Sequence, residues 1–157
     1  MESIKLKKSN ILKIGIQTDE GVDTGNYLEF DLEDIELPLR LQECEEMHKK
    51  NVQQLQMQRI VISKKQDKKG KKLYSANEEA MIKATQEFYK KEMEALDLFL
   101  GEGGTSKLLN GRNPYISMYD DISDYLEPIM PLITKNIMSI QDKIKEKYKK
   151  VENDVIE

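Results

Sequence analysis

Cys44 and His48 are the residues of this sequence whose types most often take part in chemistry, and they lie four positions apart. On a helix, side chains at positions i and i+4 share one face and can reach a single metal ion. Zinc needs at least a third protein ligand, and this sequence contains no other cysteine or histidine. We therefore expect a packed or half-exposed pair and no metal site.

Acidic residues gather at two places where a catalytic carboxylate pair could be imagined. One cluster is Glu43, Glu45 and Glu46, and the other is Asp120, Asp121 and Asp124. Carboxylates at such spacing usually form a solvated helix face, whereas catalysis would need a cleft and a pKa shifted by burial. We expect no catalytic residues and interpret the chain as a protein that is not an enzyme.

A glycine-rich stretch, GEGGTSK at residues 101–107, invites comparison with a phosphate-binding loop. A P-loop ends in Gly-Lys-Ser/Thr and connects a strand to a helix. Here the stretch follows a predicted helix, and Lys107 comes after Thr105 and Ser106. We expect a helix C-cap followed by an N-cap at Thr105, and no bound cofactor.

Lysine dominates the basic residues, with 22 Lys against 3 Arg, and six lysines lie within residues 64–72. The net charge of −4 is too small to indicate a nucleic-acid or membrane partner. Specific base and phosphate recognition favours the planar fork of arginine, and the lysine segment has no aromatic residue inside it. We expect a solvated connector between helices and consider a nucleic-acid partner unlikely.

The composition, 38% hydrophobic and 34% charged, fits one globular domain of high surface charge. No stretch approaches the ~20 apolar residues that a membrane-spanning helix needs. The first ten residues lack an apolar core long enough for a signal peptide, and the single cysteine suits a reducing compartment. We expect a cytoplasmic protein without a membrane partner.

Alternating apolar residues predict a small β-hairpin over residues 11–32, after a flexible segment at residues 1–10. Leu12, Ile14 and Ile16 occupy one face of the first strand, and the second strand repeats this spacing between acidic residues. A turn rich in Asp, Gly and Thr separates the two strands. Because two strands alone are marginally stable, they must pack on a helix or pair with another chain.

The rest of the chain has the three-and-four spacing of amphipathic helices. It predicts helices at about residues 34–60, 76–100 and 117–148, a basic loop at 63–74 and a frayed tail at 151–157. Ser75 and Glu78 form a capping-box pattern before the second helix, and Pro128 and Pro131 should kink or break the last one. The fold class is therefore mainly α, with the hairpin and a bundle of two to three long helices in a single domain over residues 11–150.

The order of these features resembles the tail assembly chaperones of long-tailed phages that infect low-GC Gram-positive bacteria. The best-matching stretches are YLEFDLEDIELPLRLQE at residues 27–43 and the region 94–133, where an acidic-apolar helix end precedes glycines, a short apolar turn and a further helix. The likeness covers about half of the chain well and most of it in outline. The lysine loop and the long C-terminal helix are less typical of that family.

This resemblance implies a function that the composition does not reveal. Such chaperones are made in the host cytoplasm during tail assembly, coat the long tape measure protein, and help the tail tube protein polymerise around it. They are absent from the mature virion, and many exist also as a longer frameshifted form, of which this chain would be the short one. The resemblance thus implies the tape measure and tail tube proteins as partners.

Apolar residues left over after the core is filled are the candidates for partner binding. Methionine, present eight times, suits surfaces that accept varied apolar helices. We predict a partner surface that contains Phe88, Met93, Phe99, Ile129, Met130 and Ile133. The exposed edges of the hairpin could also give a homo-oligomer.

Three other function classes stay open at this point. One is another phage tail or head–tail morphogenesis protein, such as a tail-completion or connector component. The second is a small nucleic-acid-binding regulator that uses the lysine loop. An enzyme ranks lowest of the three, because the sequence offers neither a nucleophile–base pair nor a metal-binding set of residues.

Overall fold

The computed structural model describes the backbone of residues 1–156 and the side chains of residues 1–151. The protein is mainly helical with an N-terminal antiparallel hairpin, which confirms the predicted fold class. Residues 1–10 have no regular secondary structure and are exposed. In chain order the elements are β1 Ile11–Gln17, β2 Asp23–Asp31, α1 Leu37–Ser63, α2 Ala76–Leu100, α3 Gly104–Leu108, α4 Met118–Leu126 and α5 Met130–Ile156.

Contacts group the residues into two compact units. The first comprises Met1–Pro38 and Tyr119–Glu157, and the second comprises Leu39–Met118. The α-rich domain predicted for residues 11–150 is therefore made of two units, and each has its own buried side chains. They are described separately below.

The hairpin of the first unit pairs β1 with β2, with Leu12 opposite Phe30 and Ile14 opposite Leu28. Every second residue of β2 faces inward, and Leu28 and Phe30 are almost completely buried. Gly21 has a positive φ of 81° in the connecting turn, a conformation that glycine adopts without strain. The alternation of apolar and polar residues in the sequence thus gives the hairpin one buried face and one solvated face.

The last predicted helix, residues 117–148, is two helices in the structure, so the prolines break it rather than kink it. Pro128 has no N–H to continue the hydrogen-bond ladder of α4, and α5 begins two residues later. Pro131 is tolerated because it lies in the first turn of α5. Helix α5 continues to Ile156, through most of the predicted frayed tail, while Glu157 lies outside the described residues.

Apolar residues at helical spacing form the helical part of the first unit's core. On α4 these are Ile122 and Leu126, and on α5 they are Ile133, Ile137 and Ile140. All five are at most 7% exposed, as a buried stripe of an amphipathic helix requires.

The second unit contains most of α1, all of α2, and α3. Helix α1 begins at Leu37, three residues later than predicted, and it ends at Ser63. The predicted capping box is present on α2, because the Ser75 hydroxyl accepts from the Glu78 N–H and the Glu78 carboxylate accepts from the Ser75 N–H. The buried side of α2 includes Ala84, Ala95, Leu96, Phe99 and Leu100.

Candidate partner-binding groove

His48 takes part in a polar cluster that joins α1 to α2 inside the second unit. Its Nδ1 lies 2.6 Å from Oε2 of Glu92, and Oε1 of Glu92 accepts a 3.0 Å hydrogen bond from the Asn51 side chain. Glu92 is only 1% exposed, so both oxygens need these partners. Within the described part of the chain, no group of three or more His, Cys, Asp or Glu residues could hold a metal ion. The arrangement acts as a cross-link between two helices.

Cys44, one turn before His48, is half-buried, and this burial raises the pKa of its thiol to about 11. The nearby carboxylates of Glu92 and Glu45 add to the increase because they disfavour a second negative charge. The thiolate is the reactive form of cysteine, so the folded environment suppresses alkylation at neutral pH.

We expect native Cys44 to react with iodoacetamide at pH 8 about a hundredfold more slowly than in the unfolded chain, because its pKa is about 11 rather than 9.0. The rate should increase steadily between pH 8 and pH 10. Mass spectrometry of timed samples would measure it, with a urea-unfolded sample as the control. Equal rates in the two samples would contradict the burial of this thiol.

The glycine-rich stretch forms the corner between α2 and α3. Gly101 ends α2 with a φ of 91°, and Gly103 is the N-cap of α3 in the left-handed region. Thr105, expected as the N-cap, is instead completely buried, and both its N–H and its hydroxyl donate to the Asp97 carboxylate at 2.9 and 2.7 Å. The structure has the expected C-cap followed by an N-cap, but the N-cap is Gly103 and not Thr105.

The lysine segment folds back onto the start of α2. Asp67 accepts hydrogen bonds from the N–H groups of Lys68 and Asn77, and the Lys68 carbonyl accepts from the N–H of Ala76. The hydrogen bond from the Asn77 N–H, followed by that from Ser75, lowers the pKa of Asp67. The first three N–H groups of α2 are thus satisfied within the chain, which leaves its N-terminus unsuited to anion binding.

The outer side of α2 borders a groove of about 830 Å³ in the second unit. One wall is formed by α2, mainly through Met81, Ile82, Tyr89 and Met93, and the other by residues 111–116. A second depression of about 300 Å³ adjoins it, shares Ile82 and Gln86, and extends to Lys72, Leu73 and Tyr74. We call the two together the α2 groove.

Residues 111–116 are fixed as a wall by the end of α3 and by a tyrosine of α2. Asn110 and Gly111 both have positive φ values, and the Gly111 N–H donates to the Ser106 carbonyl at 3.0 Å. Farther along, the Tyr89 hydroxyl donates to the Ile116 carbonyl at 2.6 Å. These bonds hold the wall against α2 and leave the space between them open.

Large apolar side chains of the α2 groove are exposed rather than packed. Ile116 is 87% exposed and Leu73 is 80% exposed, and Ile82 and Tyr74 are also exposed. Single exposed apolar residues are ordinary on protein surfaces, but a contiguous set along a groove is typical of an interaction site. The α2 groove therefore has the shape and chemistry of a site for an apolar partner segment.

Charged residues around the α2 groove are mostly basic. The cations are Lys72, Lys83, Lys90 and Arg112, and the only carboxylate among the lining residues is that of Glu79. Glu79 already pairs with Lys72 at 3.8 Å and Lys83 at 3.1 Å, and these cations lower the pKa of its carboxyl. The groove is thus positive in a chain whose net charge is −4.

The structure places only one of the six predicted partner-binding residues in this groove. Met93 lines it, and Phe88 is half-buried beside it in an edge-to-face contact with Tyr89 at 5.3 Å. Phe99 and Ile133 are buried core residues, so their assignment to a surface was wrong. Both lie on the inward stripe of their helix, which sequence periodicity does not distinguish from an interface stripe.

The other two predicted residues, Ile129 and Met130, are half-buried in the first unit. Met130 lines a wide, open groove of about 1040 Å³ along α5, together with Pro131 and Met138. Its charged lining alternates in sign, with Glu127, Lys135, Asp142, Lys143 and Glu146. This groove therefore indicates no preferred partner charge, in contrast to the α2 groove.

Sequence reasoning missed the wall of the α2 groove that is formed by residues 111–116. Ile82 and Tyr89 already widened the apolar stripe of the second predicted helix, and that was the available signal for the helical wall. Ile116 lies in a connecting segment without periodicity, so only the folded chain brings it next to Tyr89.

No protein-family model matches this chain. Comparison with characterised proteins and with solved structures also returned no match. Among residues 1–156, no helix is both long enough and apolar enough to cross a membrane.

Proposed function

We propose that this protein is a phage tail assembly chaperone that binds the tape measure protein and keeps it from aggregating. The observation that supports this proposal best is the α2 groove, an open apolar channel with Ile82, Met93 and Ile116 along it. The resemblance of residues 27–43 and 94–133 to such chaperones supplies the identity of the partner.

The physical requirement of this function is weak binding that is repeated many times. A tape measure protein is a long helical chain rich in apolar residues, and it would aggregate if these residues stayed exposed. An apolar groove can accept one amphipathic helix through residues at i, i+3, i+4 and i+7 spacing. Many chaperone copies on one long chain then give avidity, so that no single contact has to be strong.

Tail tube recruitment and the place of action belong to the same proposal. The chaperone would act in the host cytoplasm, help the tail tube protein to polymerise around the tape measure protein, and leave before the virion matures. Mass spectrometry of purified virions tests this part, because a chaperone should be missing from them and a structural tail component should be present.

Co-expression with the tape measure protein of the same phage tests the central claim. The wild-type chain should bring the tape measure protein into the soluble fraction and co-purify with it. The double variant Ile82→Ser with Ile116→Ser should bind about tenfold more weakly, because it removes two exposed apolar contacts from the groove.

The matched control is Met57→Ser with Val61→Ser, which changes two exposed apolar residues of α1 that lie outside the α2 groove. This control should solubilise the tape measure protein as well as the wild type does. A well-folded wild-type chain with no affinity for the tape measure protein would overturn the proposed function.

A further inference from the structure

We propose that the α2 groove selects one amphipathic helix of about four turns whose polar flanks are acidic, supplied by a different protein. This inference rests on the proposed function in one respect, since the helix would be a segment of the chaperone's client. Three observations support this proposal: the length of the groove, the sign of its charge, and the character of the helices in this chain.

The length of the groove sets the length of the partner helix. Along α2 the lining residues run from Glu79 to Met93, which is 15 residues of helix and 14 rises between them. At 1.5 Å per residue this distance is about 21 Å, and a partner helix lying parallel to α2 would cover it in about four turns. The apolar side chains at Ile82, Met93 and Ile116 would contact the apolar stripe of that helix.

The charge of the groove sets the flanks of the partner helix. Lys90 and Arg112 border the larger part of the groove, and no carboxylate is among the residues that line that part. The Arg112 guanidinium lies 3.9 Å from the ring centroid of Tyr115, which holds it at the groove edge. Glutamates that flank an apolar stripe would pair with these cations, while lysines there would be repelled.

Among the described residues, a second copy of this chain offers no such helix. The exposed apolar residues of α1, Met57, Ile60 and Val61, lie beside Arg59 and no carboxylate. The exposed apolar stripe of α5, formed by Ile144, Tyr148 and Val151, is flanked by five lysines at 143, 145, 147, 149 and 150 and by one glutamate, Glu146. Helix α4 is acidic but only nine residues long, and it buries its apolar residues Met118, Ile122 and Leu126. Charge and length together therefore favour a helix from another protein.

The aromatic residues of the groove are poorly placed for stacking on nucleic-acid bases. Tyr89 contacts Phe88 edge-to-face and donates its hydroxyl to Ile116, and the Tyr115 ring is covered by Arg112. Tyr74, in the smaller part of the groove, is a single exposed ring, and the other apolar lining residues are aliphatic or methionine, which pack against helices but give no stacking platform. A protein helix fits these surfaces better than a single strand of RNA or DNA.

Two synthetic peptides would test the proposal on the full-length chain. Both would be helical, about 16 residues long, with leucines at i, i+3, i+4 and i+7, and they would differ only in having glutamate or lysine at the flanking positions. Fluorescence anisotropy should give at least about tenfold tighter binding of the glutamate peptide at low salt, and the difference should shrink as salt is added.

A variant with reversed charge inside the groove tests whether the groove cations cause the preference between the two peptides. Lys90→Glu with Arg112→Glu should reverse the preference between the two peptides. Lys49→Glu with Lys50→Glu is the matched control, since it makes the same change of net charge at two exposed residues of α1 outside the groove. This control should keep the preference for the glutamate peptide, and circular dichroism should show that both variants keep the helical content of the wild type.

The possible failures differ from those of the proposed function. Equal binding of both peptides, or binding of neither, would overturn the acidic-helix proposal even if the tape measure protein is still solubilised. Binding of a single-stranded RNA oligonucleotide that is lost in the Lys90→Glu, Arg112→Glu variant, without peptide binding, would also overturn it. A reversed peptide preference would support it even if the tape measure protein is not the client.

Discussion

Replacing Glu92 with alanine is expected to lower the free energy of unfolding by about 3 kcal/mol. The buried carboxylate accepts from Asn51, which is itself buried, and it contacts His48 at 2.6 Å. Its removal takes away the acceptor of Asn51 and the contact with His48, and it opens a cavity between α1 and α2; each effect favours the unfolded state. Urea unfolding followed by circular dichroism would measure the change.

Glu94→Ala is the control for this substitution, because Glu94 lies on the exposed side of the same helix. It should change the stability by less than about 0.5 kcal/mol. A double-mutant cycle of Glu92→Ala with His48→Ala should give a coupling energy of at least about 1 kcal/mol. Additive effects of the two substitutions would show that the contact does not stabilise the fold.

Replacing Ile133 with alanine is expected to cost about 3 kcal/mol of stability, since it deletes a fully buried side chain from the core of the first unit. Its neighbour Leu132 is exposed, and Leu132→Ala should cost less than about 1 kcal/mol. Thermal or urea unfolding of the two variants would give both values. The comparison separates the inward stripe of α5 from its outer surface.

This substitution also decides between two roles for Ile133. If Ile133 belonged to a partner surface, Ile133→Ala would weaken binding of the tape measure protein and leave the stability close to that of the wild type. We expect the opposite result, a large loss of stability. Partner affinity per folded molecule should stay within about twofold, because the side chain is 0% exposed.

Hydrogen bonds and buried side chains of α2 explain how this helix can border an open groove. Glu92 is tied to Asn51, and Ala95, Leu96 and Phe99 fill the core around it. The corner with α3 is held separately by Asp97 and Thr105. Helix α2 can therefore present an exposed groove, because its buried residues and the contacts at its two ends stabilise it.

The elements with local signals could be predicted from the sequence. Alternation of Leu28, Phe30 and Leu32 with acidic residues set the hairpin face, since a strand turns every second side chain to the same side. Ser75 and Glu78 set the start of α2, since a capping box needs only residues three apart. Both features are set by residues two or three positions apart, so the sequence alone is enough to predict them.

Local signals did not settle the last helix. The prolines at 128 and 131 predicted either a kink or a break, and the periodicity on both sides of them did not distinguish the two. The structure ends α4 at Leu126 and begins α5 at Met130. A proline removes one backbone N–H whether the helix bends or ends there, so the sequence is the same in both cases. The packing of the flanking turns decides between the two outcomes.

The tertiary structure alone decided which apolar and polar residues line an open groove and which form the core. The sequence determined that α2 and α5 carry apolar stripes, but Phe99 and Ile133 point inward while Ile116 joins a groove wall 27 residues away from Tyr89. Likewise His48 and Glu92 meet across 44 positions of the chain. Periodicity records only the side of a helix on which a residue lies, and contacts between distant segments arise when those sides are packed together.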